Sequence, residues 1–442
     1  MTVSTPEKPH PSVLLITDHF PPSNSIAAAR LGAFARDLQA LGWAVSVVTP
    51  KAWGPEPEIE HCSVHVLRRE GSVSSFVRNP GSTGPHAPVP TRQSGSGQGH
   101  SSLLRRVRQL AGRAHRSFIA IPDPEVFRWT TSTRRIMHEI HTKPDVILAS
   151  GPPFSTFLFA KRLSRRWEVP WVADYRDLWT LSGYYALPEW RKRLDRQIER
   201  RVWRSASALL TVSEPLARDL EHETAIPVYV VMNGYDSQDE VSVVSPTHLP
   251  LRILYTGEIY EGKRDPRPLF EALSALNLGP KDVEIVFIGS TVAAVADSAQ
   301  SCGVRHLVST MPRVSRAEAA RLQQESDVLL LLMWNDPREK GVYSGKIFEY
   351  VQARRPVLML GYEFGVAAEL IRERELGFVS NNPKELQEIV KSWMSVKLRN
   401  GRIPPNPLQS LTGLSRREQN EKLSNILKEV AVAKGEPPQA HS

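Results

Sequence analysis

Polar residues that could handle a phosphorylated substrate cluster in four short segments, and each segment follows a predicted buried strand. The segments begin at Asp18, Asp174, Gly257 and Lys340. In open parallel sheets, ligands bind beyond the carboxyl ends of the strands, so we expect the four segments to meet at one site.

The segment KGVYSGKIFEY, residues 340–350, carries the most specific pattern. Ser344 and Gly345 stand where a helix is predicted to begin, and the free amides of a helix N-terminus bind phosphate. Lys346 lies in the first turn, and Glu349 follows on the same face three residues later. The lysine can reach a diphosphate and the carboxylate can bind both hydroxyls of a ribose. An intrahelical Lys–Glu pair would have the same spacing.

The segment that follows Gly257 combines glycines with two basic residues. Gly257 would let a ligand approach the backbone. Lys263 and Arg264 could neutralise a leaving diphosphate, whose developing charge a catalyst must stabilise. A solvated charged loop would have the same composition.

Two carboxylates and an arginine crowd the end of another predicted strand: Asp174, Arg176 and Asp177. A carboxylate at that place could accept a proton or orient a sugar hydroxyl. A structural Asp–Arg pair is the alternative.

The first segment leads into a helix whose N-terminus could hold an anion. Asn24 and Ser25 precede that helix, and Arg30 lies one turn inside it. A surface turn capped by Asn24 explains the same residues equally well.

Apolar runs and helical repeats alternate along the chain in the order that builds parallel sheets. The predicted strands are 13–17, 45–49, 146–149, 171–174, 209–212, 228–232, 253–256, 283–288, 328–333 and 357–360. The predicted helices are 27–41, 154–166, 268–276, 316–325, 346–353 and 367–374, and the chain after Lys384 is largely helical. Ser213 is predicted to cap a further helix, with Glu214 and Pro215 in its first turn. The pattern predicts an α/β protein with two Rossmann-like parallel-sheet domains that face each other across a cleft.

The same pattern predicts where the two domains begin and end. The N-terminal domain covers residues 11–236, interrupted at 71–102 by a Gly-, Ser- and Pro-rich segment that we interpret as a mobile loop. The C-terminal domain covers residues 250–395. A helical segment, 396–434, and a disordered tail, 435–442, complete the chain.

Composition limits the class of protein. A chain of 442 residues exceeds what one hydrophobic core usually covers. Its net charge of +9 suits an acidic ligand or surface, but no nucleic-acid-binding pattern accompanies it. Cys62 and Cys302 match no metal or redox spacing, and no apolar run could serve as a signal peptide or membrane span. We therefore expect a cytoplasmic protein that binds no nucleic acid.

Together these residues resemble the family 4-like glycosyltransferases with the B-type (GT-B) two-domain fold. The resemblance covers about residues 13–390. It rests on LLITDHFPP, PWVADYRDLW and VVMNGYD in the first half, and on ILYTGEIYEGKRDP and GKIFEYVQARRPVL in the second.

The resemblance implies that the second half binds a nucleotide-sugar donor, a UDP- or GDP-sugar, with Glu349 on the ribose and Lys263 on the diphosphate. The residues that would lie near the transferred sugar, the donor phosphates or the acceptor are Asp174, Arg176, Asp177, Asn24 and Ser25. Such enzymes usually retain the anomeric configuration and need no metal or other cofactor. The implied role is hexosyl or N-acetylhexosaminyl transfer to a glycan or lipid-linked acceptor, in the synthesis of a cell-surface polysaccharide or glycolipid.

Two positions depart from the family pattern. The first glutamate of the family's paired-glutamate motif falls at Gly341, and Glu258 replaces an arginine that usually follows the donor-domain glycine. We expect Arg264 and Lys346 to supply the missing charge. The departures leave open a non-catalytic scaffold of the same fold, and a sugar-nucleotide epimerase is a further alternative.

Residues 103–118, LLRRVRQLAGRAHRSF, form a basic amphipathic pattern without an acidic residue. A helix of this kind can lie on anionic lipid, which predicts peripheral attachment at the inner face of the cytoplasmic membrane. An ordinary surface helix against the core is the alternative.

Overall fold

The structure is a computed structural model, and it describes residues 10–23, 25–50, 62–66, 120–131, 133–140, 142–236, 248–260, 262–289 and 292–433. Asn24, the predicted loop 71–102, the amphipathic segment 103–118 and the tail 435–442 lie outside the described residues.

The first domain is built on a seven-stranded parallel sheet in the order β3-β2-β1-β4-β5-β6-β7. Its strands are β1 Ser12–Ile16, β2 Ala44–Thr49, β3 Ser63–Val66, β4 Val146–Gly151, β5 Trp171–Tyr175, β6 Ala208–Thr211 and β7 Val228–Val230. Its helices are α1 Ile26–Ala40, α2 Val126–Thr131, α3 Thr133–Glu139, α4 Ser155–Trp167, α5 Glu189–Trp203 and α6 Glu214–Glu221.

The second domain has a six-stranded parallel sheet in the order β10-β9-β8-β11-β12-β13. Its strands are β8 Leu251–Thr256, β9 Val283–Ile288, β10 Val308–Met311, β11 Val328–Leu332, β12 Val357–Leu360 and β13 Gly377–Val379. Its helices are α7 Arg267–Leu276, α8 Val292–Ser301, α9 Arg316–Gln324, α10 Gly345–Ala353, α11 Val366–Glu373 and α12 Pro383–Asn400. A last helix, α13 Arg416–Ala433, follows.

Both sheets are covered on two faces, which explains their apolar strands. In β11, Val328 and Leu330 pack under α7 and α12, whereas Leu329 and Leu331 pack under α10 and α11. Successive side chains of a strand point to opposite faces, so a strand covered on both sides must be apolar throughout.

The C-terminal helical segment is divided between the two domains. Helix α12 packs on the second sheet through Leu386, Val390 and Trp393. Helix α13 returns to the first sheet and packs beside α1, with Leu423 and Leu427 fully buried. The predicted limit at residue 395 therefore falls inside α12, and residues 396–434 do not form one unit.

The predicted fold class, two parallel-sheet α/β domains, is confirmed. The elements absent from the prediction are the edge strands β3, β10 and β13 and the helices α2, α3, α5 and α8. Short edge strands carry few apolar residues, and α5 buries charged ones, namely Arg191, Asp195 and Glu199. Hydrophobic periodicity does not detect elements of either kind.

None of the described helices is long and apolar enough to span a membrane.

Candidate active-site cleft

A cleft of about 1220 Å³ lies between the two sheets, at the carboxyl ends of their strands. The first domain lines it with one face of α1 and with the turn at Asn233 and Gly234. The second domain lines it with the loops after β8, β9 and β10 and with the start of α10. The cleft therefore occupies the place where parallel sheets bind ligands.

Lys346 occupies the floor of the cleft at the start of α10. Its ammonium group lies 5.1 Å from the centre of the Tyr255 ring and directly beside Gly257, where a Cβ atom would overlap Nζ. Gly257 also has φ +121°, a conformation that favours glycine. Burial, with the nearby Arg264 adding to it, lowers the pKa of Lys346 to about 8. An anion bound here would favour the charged form of Lys346 and raise its pKa again.

Arg264 brings a second positive charge to the same end of the cleft. Its Nη1 donates to the backbone oxygen of Glu258 at 2.7 Å, and its guanidinium lies over the Tyr260 ring at 4.6 Å. Arg264, Glu258 and Tyr260 all line the cleft. The expected replacement of the family's arginine by Arg264 and Lys346 is compatible with this placement.

Glu349 is exposed and lines the cleft one turn beyond Lys346. Among the ion pairs between described residues, none joins Glu349 to Lys346, so the alternative of an intrahelical pair is not formed. Ser344 is the N-cap of α10, and both Ser344 and Gly345 line the cleft. A Cβ at residue 345 would lie 2.9 Å from Ile26, so glycine lets α1 approach this helix end.

Asp174 lies at the end of β5 but has no exposed surface. Arg30 Nη2 donates to its Oδ1 at 2.9 Å, and the Ser150 hydroxyl donates to its Oδ2 at 2.7 Å. Arg30 also donates to the backbone oxygen of Met232 and to Asn233 Oδ1, both at 3.2 Å. The structural Asp–Arg pair considered for this segment is therefore present, with Arg30 rather than Arg176 as its arginine. The pair joins β5 to the turn at the cleft.

Arg176 and Asp177 do not line the cleft. Arg176 is partly buried and donates to the backbone oxygen of Pro152, whereas Asp177 is exposed. Ser25 does line the cleft, and its Oγ caps α1 by accepting from the amide of Ala28 at 3.1 Å. The N-cap of α1 is thus Ser25.

Lys263 is also outside the cleft lining, at a contact between the two domains. Its ammonium lies 4.6 Å from the centre of the Trp334 ring and 5.7 Å from that of Tyr184. The two rings stack at 5.9 Å, and Arg338 lies over both. The Tyr184 hydroxyl donates to Glu339. We call the set Tyr184, Lys263, Trp334, Arg338 and Glu339 the mouth contact.

Gly341 continues the mouth contact. A Cβ at this residue would lie 2.7 Å from Leu216 Cδ2, and the buried Ser213 hydroxyl donates to the Gly341 oxygen at 2.8 Å. Lys340 forms an ion pair with Asp219 at 2.9 Å. Helix α6 therefore fills the space that a glutamate side chain would need, which gives a physical reason for glycine at this position.

The opposite end of the cleft holds residues that the sequence analysis did not select. Arg36 and Arg416 both donate to Asp236 Oδ2, at 3.2 and 3.3 Å. Arg313 and Arg316, which flank the start of α9, line the same part of the cleft. We call Arg36, Arg313, Arg316 and Arg416 the arginine end. Because they come from three distant places in the chain, no local motif reveals them.

Residues 27–234 match the family model of the glycosyl transferase 4-like domain. The N-terminal domain is a glycosyl transferase 4-like domain. The family predicted from the sequence is therefore confirmed. No curated protein matches the chain in sequence.

Solved structures extend the likeness to both domains. A glycosyltransferase from Rickettsia africae ESF-5 has a TM-score of 0.61 at 14% identity, over 95% of this chain and 98% of that one. Anabaena HepE in complex with UDP and glucose has a TM-score of 0.57 at 14% identity, over 95% and 100%. The lipopolysaccharide outer core galactosyltransferase WaaB has a TM-score of 0.56 at 12% identity, over 96% and 100%. The structural likeness over nearly the whole chain establishes the GT-B fold.

Proposed function

We propose that this chain transfers a sugar from a nucleotide-sugar donor to an acceptor in cell-surface polysaccharide or glycolipid synthesis. The observation that carries the proposal is the start of α10. Free helix amides, Lys346 and the exposed Glu349 succeed one another there along the floor of an interdomain cleft. The glycosyl transferase 4-like domain supports the same reaction class.

The donor would lie along α10. Its diphosphate would meet the amides at Ser344 and Gly345 together with Lys346 and Arg264, and its ribose would meet Glu349. Charge that develops on the leaving diphosphate would then be stabilised by fixed groups on the floor of the cleft. Arg30 and Asp174 would position the first domain's wall rather than contact the sugar.

We propose that the donor is a UDP- or GDP-sugar that carries a hexosyl or N-acetylhexosaminyl group. HepE, solved with UDP and glucose, supports the uridine choice. We also propose a retaining reaction without a metal ion, because Lys346 and Arg264 already face the expected diphosphate. Turnover that EDTA abolishes and Mg²⁺ restores would contradict the second statement.

A thermal-shift panel of UDP, GDP, ADP and CMP with their sugar conjugates tests donor binding. A ligand that binds only the folded chain raises its melting temperature. We expect a shift with one nucleotide series, a tenfold to hundredfold weaker affinity in Lys346→Ala because a charged hydrogen bond is lost, and no change in Lys281→Ala. Lys281 is an exposed lysine just before β9, at the amino ends of the strands of the same sheet.

The panel and an assay of donor turnover together separate the alternatives. A scaffold, which Gly341 and Glu258 keep open, would give no shift with any nucleotide and no turnover. An epimerase would convert the donor without an acceptor. A transferase would release nucleotide only when an acceptor fraction, such as lipid-linked oligosaccharide, is added.

We further propose that the chain is cytoplasmic and attaches to anionic membrane through residues 103–118, which lie outside the described residues. Co-sedimentation with phosphatidylglycerol vesicles tests this proposal. Changing Arg105, Arg106 and Arg108 to Glu should abolish binding. Matched reversals at Lys384, Lys391 and Arg399, exposed on α12, should leave it intact.

A further inference from the structure

The arginine end of the cleft has more positive charge than the described residues around it neutralise. Among the described residues that line it, Asp236 is the one acid, and it is shared by Arg36 and Arg416. Arg313 and Arg316 are exposed and have no carboxylate within 4 Å among the described residues.

The arginines converge although they come from separate elements. Arg36 lies on α1, Arg316 at the start of α9 and Arg416 at the start of α13. Burial lowers the pKa of Arg416, and the nearby Arg316 and Arg36 lower it further, whereas Asp236 raises it. Like charges held this close to one another favour an anion between them.

The arginine end is distinct from the end at Lys346. Helix α10 runs between the two, and Gln352 near its far end donates to the backbone oxygen of Asp236 at 2.8 Å. Six residues separate Lys346 from Gln352, about 9 Å along a helix. One phosphate cannot reach both ends.

We infer that the arginine end is a second anion subsite, which holds a phosphate or carboxylate group while the donor occupies the end at Lys346. The inference rests on the proposed function. In that function both phosphates of the donor lie at Lys346, and the base that points along α10 is uncharged. The donor therefore brings no anion to the arginines.

Inorganic phosphate serves as the probe in chain already saturated with UDP, so that the Lys346 end is occupied. We expect phosphate to raise the melting temperature further than sodium chloride of equal ionic strength does. Arg316→Glu and Arg36→Gln should lose that increment while their Kd for UDP stays within twofold of the parent value. Arg402→Glu, an exposed reversal outside the cleft lining, should keep both.

Two results would overturn the subsite. One is a UDP affinity more than tenfold weaker in Arg316→Glu, because the arginines would then serve the donor. The other is the absence of a phosphate increment above the chloride control. If no nucleotide binds the chain at all, the proposed function fails separately. The rise in melting temperature that phosphate causes is then measured in Lys346→Ala. A rise that disappears when Arg316→Glu is added supports the subsite, and no rise in Lys346→Ala refutes it.

Discussion

At the scale of single residues, the charge of Lys346 decides how nucleotide binding depends on pH. Burial and Arg264 lower its pKa to about 8, so the free lysine loses its proton as the pH rises through that value. A diphosphate favours the charged form and raises the pKa again, so binding above pH 8 takes up a proton. We expect the affinity for UDP to fall up to tenfold per pH unit above about pH 8.

Calorimetry in two buffers of different ionisation enthalpy measures that proton uptake. In Lys346→Arg the guanidinium stays charged throughout, so the dependence between pH 7 and pH 10 should disappear even if the affinity itself is lower. A Kd that is flat across this range in the unmodified chain would show that Lys346 does not face the diphosphate.

Glu199 is a second residue whose ionisation has a measurable consequence. It lies on α5 and accepts hydrogen bonds from the amide and hydroxyl of Thr180. Burial raises its pKa to about 7, although the bonds from Thr180 and the charge of Arg196 lower it. Because its pKa is higher in the folded chain, neutral Glu199 makes its full contribution to the free energy of unfolding below about pH 4.5. That contribution is lost as the pH rises through 7.

We expect Glu199→Gln, which stays neutral, to be more stable than the parent chain at pH 8, by up to about 3 kcal/mol. The two should converge near pH 5. Urea unfolding at both pH values measures the difference. A parent chain that loses no stability relative to Glu199→Gln between pH 5 and pH 8 would contradict the assignment.

At the scale of elements, the sequence predicts those strands and helices that have a clear hydrophobic pattern or a clear start or stop residue. The buried strands β1, β8 and β11 and the helix α10 follow from short apolar runs and from the Ser344–Gly345 start. The pattern also predicts that Lys346 and Glu349 meet a ligand-binding edge. It cannot predict that Asp174 is buried in an ion pair with Arg30. The two residues are 144 positions apart in sequence, and their pairing depends on how β5 packs against α1. The placement of α13 is equally non-local.

Helix α13 gives the element scale its own prediction. Leu427 is fully buried against the first sheet, and Trp43 Nε1 donates to Ser424 on the same helix at 2.9 Å. We expect Leu427→Ala to destabilise the N-terminal domain by about 3 kcal/mol, because it leaves a cavity under α13. The neighbouring exposed Lys428→Ala should change stability by less than about 0.5 kcal/mol. Chemical unfolding followed by the fluorescence of Trp43 and its neighbours measures both, and equal stability of the two variants would mean that α13 does not pack there.

At the scale of the whole molecule, the mouth contact and Gly341 hold the two domains together. Restoring the family's glutamate with Gly341→Glu would drive a side chain into Leu216 and Ser213. Overpacking of this kind costs about 1–3 kcal/mol, which the domains can avoid by separating. We expect a larger radius of gyration in solution scattering and slower sugar transfer. Adding Leu216→Ala should reverse both effects, because it removes the atoms nearest the new side chain. Faster transfer by Gly341→Glu alone would mean that residue 341 faces the transferred sugar and that α6 does not close on it.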